Sequence, residues 1–158
     1  MRLTIGVLLA VLISPAAQAE LIDEINDRGE LRIAVPADTA PYAFKENEQL
    51  TGFDVELGQA LAKELDLRAE FIETPVEQQV PGVVEGKYDI TLDKANTQDG
   101  LDASNAFADD GRAVQFQKGN AAFESAVNNA LERIKGDGRL EALEAKWLKD
   151  QPHSTAGQ

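Results

Sequence analysis

The sequence has no cysteine. Disulfides, thiol nucleophiles and cysteine–zinc centres are therefore excluded. So is an acyl anchor on a cysteine at a cleavage point. There is one histidine, His153, in the last few residues, so imidazole acid–base chemistry has no group in the body of the chain. Basic residues are scarce, 15 against 28 acidic ones, for a formal net charge of -13. Nucleic acid and anionic membrane surfaces both need a basic face and are disfavoured as partners. Gly-rich phosphate loops are missing, and Ser104 and Ser125 lie in no Ser-x-Gly elbow. Asp99, Asp102, Asp109 and Asp110 lack calcium-loop spacing and read as a solvated acidic loop. The expectation is no enzyme, no metal and no cofactor.

What is present is enough for a core. The chain has 158 residues, 43% of them hydrophobic, which suits one domain. Residues 1–19 read as a secretory signal peptide. Arg2 is the positive end, Leu3 to Ile13 is a short apolar run, and Ala17-Gln18-Ala19 is a cleavage site. The apolar run is too short to span a bilayer comfortably. The expected mature protein starts at Glu20, is soluble, has no membrane insertion after cleavage, and resides in the periplasm. Residues 20–150 are read as the domain and 151–158 as a disordered tail.

Periodicity places strands at Leu31–Val35, Arg68–Glu73, Tyr88–Leu92 and Ala113–Gln117. Helices are expected at Leu21–Asp27, after Thr74-Pro75, at Ala121–Lys135 and from Leu140 to Leu148, with Pro81 awkward inside the second. Pro36 to Pro41 reads as a loop, Asn47 and Gln49 as a turn. Asp93 to Gly111 is the least ordered-looking stretch, with Phe107 its one apolar anchor. Trp147 falls on the apolar side of the last helix. Strands alternating with helices imply an α/β layered fold.

The longest signal is Gly52-Phe53-Asp54-Val55-Glu56-Leu57 and the helix it opens. Phe53, Leu57, Ala60, Leu61 and Leu65 share one face, and Asp54 and Glu56 read as acids favoured at a helix start. This run resembles the signature of the family 3 extracellular solute-binding proteins. Leu31–Val35, Pro41-Tyr42-Ala43-Phe44, Glu85-Gly86-Lys87-Tyr88-Asp89 and Lys118 through Trp147 resemble further segments of that family in order. The resemblance implies one lobe of a type II periplasmic binding protein, with a mostly parallel sheet of about four to five strands and helices on both faces. It implies capture of a small polar, amino acid-like solute for an ABC permease.

Family members have two lobes, and the segment between Thr97 and Gly111 leaves no room for the second. The resemblance also implies an arginine shortly after the third strand to take a ligand carboxylate, and no arginine lies between Arg68 and Arg112. Lys94 offers a point charge instead. A stacking aromatic of the family corresponds roughly to Thr39. The residues expected along the site edge are Asp38, Tyr42, Phe44, Asp93, Asn96 and Thr97. The alternative is a periplasmic interaction or accessory module, or a homodimer, that uses the uncovered face and binds no small solute. A degenerate product that folds without acting is a third reading.

Overall fold

The computed structural model describes residues 20–95 and 100–149. The expected signal peptide (1–19), the expected tail (151–158), and Asn96 and Thr97 of the expected site lie outside the described residues.

The order of elements is α1 (Leu21–Arg28), β1 (Glu30–Val35), β2 (Asp38–Thr39), β3 (Ala43–Glu46), β4 (Gln49–Thr51), α2 (Phe53–Glu64), β5 (Arg68–Glu73), α3 (Val76–Val84), β6 (Ile90–Lys94), β7 (Leu101–Ala103), β8 (Arg112–Gln117), α4 (Ala121–Gly136) and α5 (Arg139–Trp147). Five strands form the main sheet in the order β5-β1-β6-β8-β7. β1 lies parallel to both β5 and β6, whereas β8 is antiparallel to β6 and to β7. Four of the five strands therefore run the same way, as the sequence suggested. β2, β3 and β4 form a small antiparallel sheet of their own.

Helices cover both faces. Ile33 on β1 meets α2 at Gly58, where an added Cβ would lie 2.9 Å from Ile33 Cδ1. Thr91, in register with the next β1 residue, Ala34, meets α3 through Gln79. Successive strand residues point to opposite faces, so α2 and α3 lie on opposite sides. The core collects the apolar faces read from periodicity, including Leu57 and Leu61 of α2 and Phe123, Val127 and Ile134 of α4. Phe116 of β8 packs edge-to-face on Phe123 at 5.1 Å.

The structure differs from the sequence reading in three places. The stretch from Pro36 to Thr51 is not only loop and turn. It folds into β2–β4, whose strands have two to four residues and so carry almost no period. Asn47 and Glu48 both have positive φ, the conformation of a tight two-residue hairpin turn. The second difference is β7, a three-residue strand inside the stretch read as least ordered. From Ser104 onward that stretch is tied to β8. The Ser104 N–H donates to Val114 O at 2.8 Å, Val114 N–H donates back to Ser104 Oγ at 2.9 Å, and Phe107 N–H donates to Arg112 O at 2.9 Å. Phe107 is buried beside Phe53, as its apolar character suggested. The third concerns Asp54, which lies in the first turn of α2 as read from the sequence but is buried there as the partner of Arg112.

Candidate functional site at the strand edge

The start of α2 is capped by backbone. Phe53 N–H donates to Pro41 O at 3.0 Å and Asp54 N–H to Tyr42 O at 2.8 Å. Gly52 makes this approach possible. Its φ is +127°, and a Cβ there would lie 2.4 Å from Tyr42 O. Because carbonyls occupy the helix's first N–H groups, the Asp54 side chain is free to act elsewhere.

It turns to Arg112. One Arg112 nitrogen, Nη2, donates to Asp54 Oδ1 at 2.8 Å, to Asp54 Oδ2 at 2.7 Å and to Leu92 O at 3.1 Å. The guanidinium carbon sits 4.0 Å from the centre of the Tyr42 ring, a cation–π distance. Nη1 stands 3.7 Å from Asp93 Oδ1, an ion pair too long for a hydrogen bond. Burial pushes the Asp54 carboxyl up to about 6; Arg112 opposes the rise, and Asp93 and Asp110 add to it.

Beside this cluster, between α3 and the end of β6, a cavity of about 560 Å3 opens. Val76, Glu77, Val80 and Pro81 of α3 line it, with Asp93, Lys94 and Gln115 of β6 and β8. Polar side chains of α3, β6 and β8 are fixed by hydrogen bonds. Thr91 Oγ1 donates to Gln79 Oε1 at 2.7 Å, Gln79 Nε2 donates to Thr74 O at 3.1 Å, and Gln115 Nε2 donates to Lys94 O at 3.3 Å. A cavity lined by two acids, Glu77 and Asp93, and one base, Lys94, suits a small polar molecule carrying both charges.

Of the residues expected from sequence, Asp93 lines this cavity and Tyr42 stacks on Arg112 next to it. Asp38 is exposed on β2 and accepts a hydrogen bond from Thr39 Oγ1. Phe44 faces Trp147, ring centres 5.9 Å apart, so its contact is with α5. The residue that sequence reasoning passed over is Arg112. Counting along the chain put it too far from the third strand to matter. Antiparallel pairing of β8 with β6 sets it directly opposite Lys94. The available signal was an arginine at the start of the returning strand.

The fold is that of a periplasmic binding protein domain, and the comparisons agree on it. The model of the bacterial extracellular solute-binding proteins, family 3, matches residues 31–150. The chain belongs to that family. It is 24% identical over 139 residues to the L-cystine-binding protein TcyA of Bacillus subtilis, covering 85% of this chain and 50% of that protein. To the histidine-binding periplasmic protein of Escherichia coli K12 it is 26% identical over 112 residues, 67% of this chain and 41% of that one. Among solved structures it resembles the ancestral amino acid-binding protein AncCDT-1, with TM-score 0.76, 22% identity, and coverage of 83% of this chain and 100% of that chain. It also resembles the arginine-bound form of domain 1 from TmArgBP, with TM-score 0.64, 23% identity, and coverage of 70% and 98%. The chain spans about half the length of the curated relatives it matches first.

Proposed function

We propose that this chain is an exported single-lobe member of the family, cleaved after Ala19 and resident in the periplasm, that takes a small polar solute of amino acid type at its strand edge. In this reading it binds rather than catalyses, and it serves an ABC importer. The observation that carries the reading is the cavity between α3 and β6, whose lining brings Glu77 and Asp93 together with Lys94. Lys94 attracts the solute's carboxylate and Asp93 its ammonium. The domain 1 of TmArgBP named above is described as an arginine-bound form, which supports binding by one lobe. Without a second lobe to close over it, the solute is held weakly.

A second reading has its own support. Among the described residues, the exposed large hydrophobics are Val76 and Val84, 51% and 43% exposed and both on α3. With Val80 they form a stripe at spacings of four. A partner-binding face, including a homodimer, uses that stripe.

A thermal-shift screen of the chain from Glu20 onward against amino acids, amines and organic acids separates the two, with sizing chromatography alongside. A solute at a hundred times its Kd adds about 2.7 kcal/mol of stability. Stabilisation by an amino acid, lost in Asp93→Asn, supports capture. No stabilised mixture and an elution volume of a dimer overturn it in favour of the second reading.

A further inference from the structure

A different cavity lies on the other side of the Arg112 cluster, between α5 and the segment that ties β7 to β8. Its volume is about 550 Å3, within the range of small-molecule sites. Its apolar part is made by Tyr42, Ala145 and Leu148. Two kinds of charge border it. Asp109, Asp110, Glu141 and Glu144 bring four carboxylates, against Lys149 as the one lysine of the lining. Burial first, and then the charges of Asp109 and Glu141, hold the Glu144 carboxyl above its ordinary range, with Lys135 opposing. These acids crowd one another and lack cations to match.

Arg112, whose side chain is only 8% exposed, also lines the cavity. A guanidinium carries five N–H donors. The two on Nη2 are taken by Asp54 and Leu92 O. Nε is buried without an acceptor, and Nη1 makes no hydrogen bond among the described residues. Nη1 keeps access to solvent, and an acceptor oxygen entering from the cavity gives it a charge-assisted hydrogen bond.

We infer that this cavity is a second ligand site, for a small dipolar molecule that presents an ammonium to Glu144 and Asp109 and an acceptor oxygen to Arg112. A simple cation leaves the arginine unmet, and a simple anion meets the carboxylates. An aliphatic stem between the two ends lies on Tyr42, Ala145 and Leu148. The site is built by a segment, residues 104–111, that is pinned to β8 by the Ser104–Val114 and Phe107–Arg112 hydrogen bonds. Its lining shares no residue with that of the strand-edge cavity beside α3.

The test is a residue-resolved NMR titration of the full-length chain, labelled with 15N, using three probes of equal stem length: 4-aminobutanoate, butylammonium and butanoate. The expected result is saturable movement of the Ala108, Asp109, Glu144 and Ala145 amides, with 4-aminobutanoate about ten-fold tighter than either single-charge probe. Glu144→Gln and Asp109→Asn, both at the rim, should each weaken it several-fold while leaving the remaining spectrum in place. Absence of saturable shifts at those amides overturns the proposal. So does equal binding of butylammonium and 4-aminobutanoate, or unchanged affinity in both variants. Movement confined to Lys94 and Ala95 also overturns it, and that outcome leaves the strand-edge reading standing.

Discussion

Arg112 and Asp54 are 58 positions apart and are joined by one nitrogen that bonds both carboxylate oxygens, at 2.8 and 2.7 Å. Side-chain exposure is 8% for the arginine and 2% for the aspartate. Both charges have left water, and the desolvation cost offsets much of their attraction. Breaking such a pair is worse than never having it. Arg112→Met leaves a buried carboxylate with no partner and is expected to cost about 3–5 kcal/mol. Asp54→Asn alone should also destabilise. The double variant Asp54→Asn/Arg112→Met should be more stable than the sum of the singles predicts, by about 1–3 kcal/mol in a double-mutant cycle. Urea unfolding of the four proteins checks this, and simple additivity refutes it.

The same pair sets a pH dependence. Asp54 is raised from an ordinary 3.8 to about 6, so the fold binds this proton before the unfolded chain does. The group's contribution is fully present below pH 3.8 and is lost as pH rises through about 6. The wild-type melting temperature minus that of Asp54→Asn should therefore fall between pH 4 and pH 6 and level off above. Parallel curves for the two proteins across that window would rule out the assignment.

Gly52 should tolerate no side chain. Gly52→Ala combines a positive φ of +127° with a Cβ 2.4 Å from a backbone oxygen of Tyr42, and backbone cannot swing aside as a side chain can. The expected loss is at least about 3 kcal/mol. Gly136→Ala is the control, since a Cβ there meets nothing within 4 Å and the position is helical. It should be neutral or slightly stabilising by thermal melt.

Glu56 fixes the C-terminal helix. It accepts from Trp147 Nε1 and, at 2.9 Å, from Lys146 Nζ. Burial pushes its carboxyl up, but the hydrogen bonds from Lys146 and Trp147 outweigh this and hold it below its ordinary 4.5. Its contribution is present above pH 4.5 and is lost as pH falls further. Trp147 is the sole tryptophan, so its fluorescence reports this contact directly. Acidification below pH 4.5 should shift the emission, and Glu56→Gln should shift it already at pH 7 and remove the acid step.

Asp89 ties β6 to the start of the chain. Its side chain is 1% exposed and pairs with Arg28 and with Arg32, whose backbone N–H it also accepts at 2.7 Å. Asp89→Ala is expected to cost about 2–4 kcal/mol by leaving that N–H and two cations without their acceptor, and Asp89→Asn less, because an oxygen remains. Chemical denaturation ranks the two, and equal losses would contradict the hydrogen-bond account.

Much of this fold is written locally. Alternation along Arg68–Glu73 and the apolar face of Ala121–Lys135 follow from strand and helix period, and the residues concerned are in β5 and α4. The Gly52–Leu57 run specified both a helix start and a family, since a tight turn and an amphipathic helix depend on neighbours in sequence. What lacked a local signature was missed. β2, β4 and β7 have only two or three residues, too few for a period, and are held by their partners. The site suffered most from this. Asp54 looked like an ordinary acid at a helix start, and Phe44 like a cleft aromatic. Antiparallel register of β8 on β6 carried Arg112 to Asp54, and docking of α5 carried Trp147 to Phe44. Which charges are buried, and which partners they find, depends on strand order and register across the sheet. Those are decided by long-range pairing, and no window of neighbouring residues contains them.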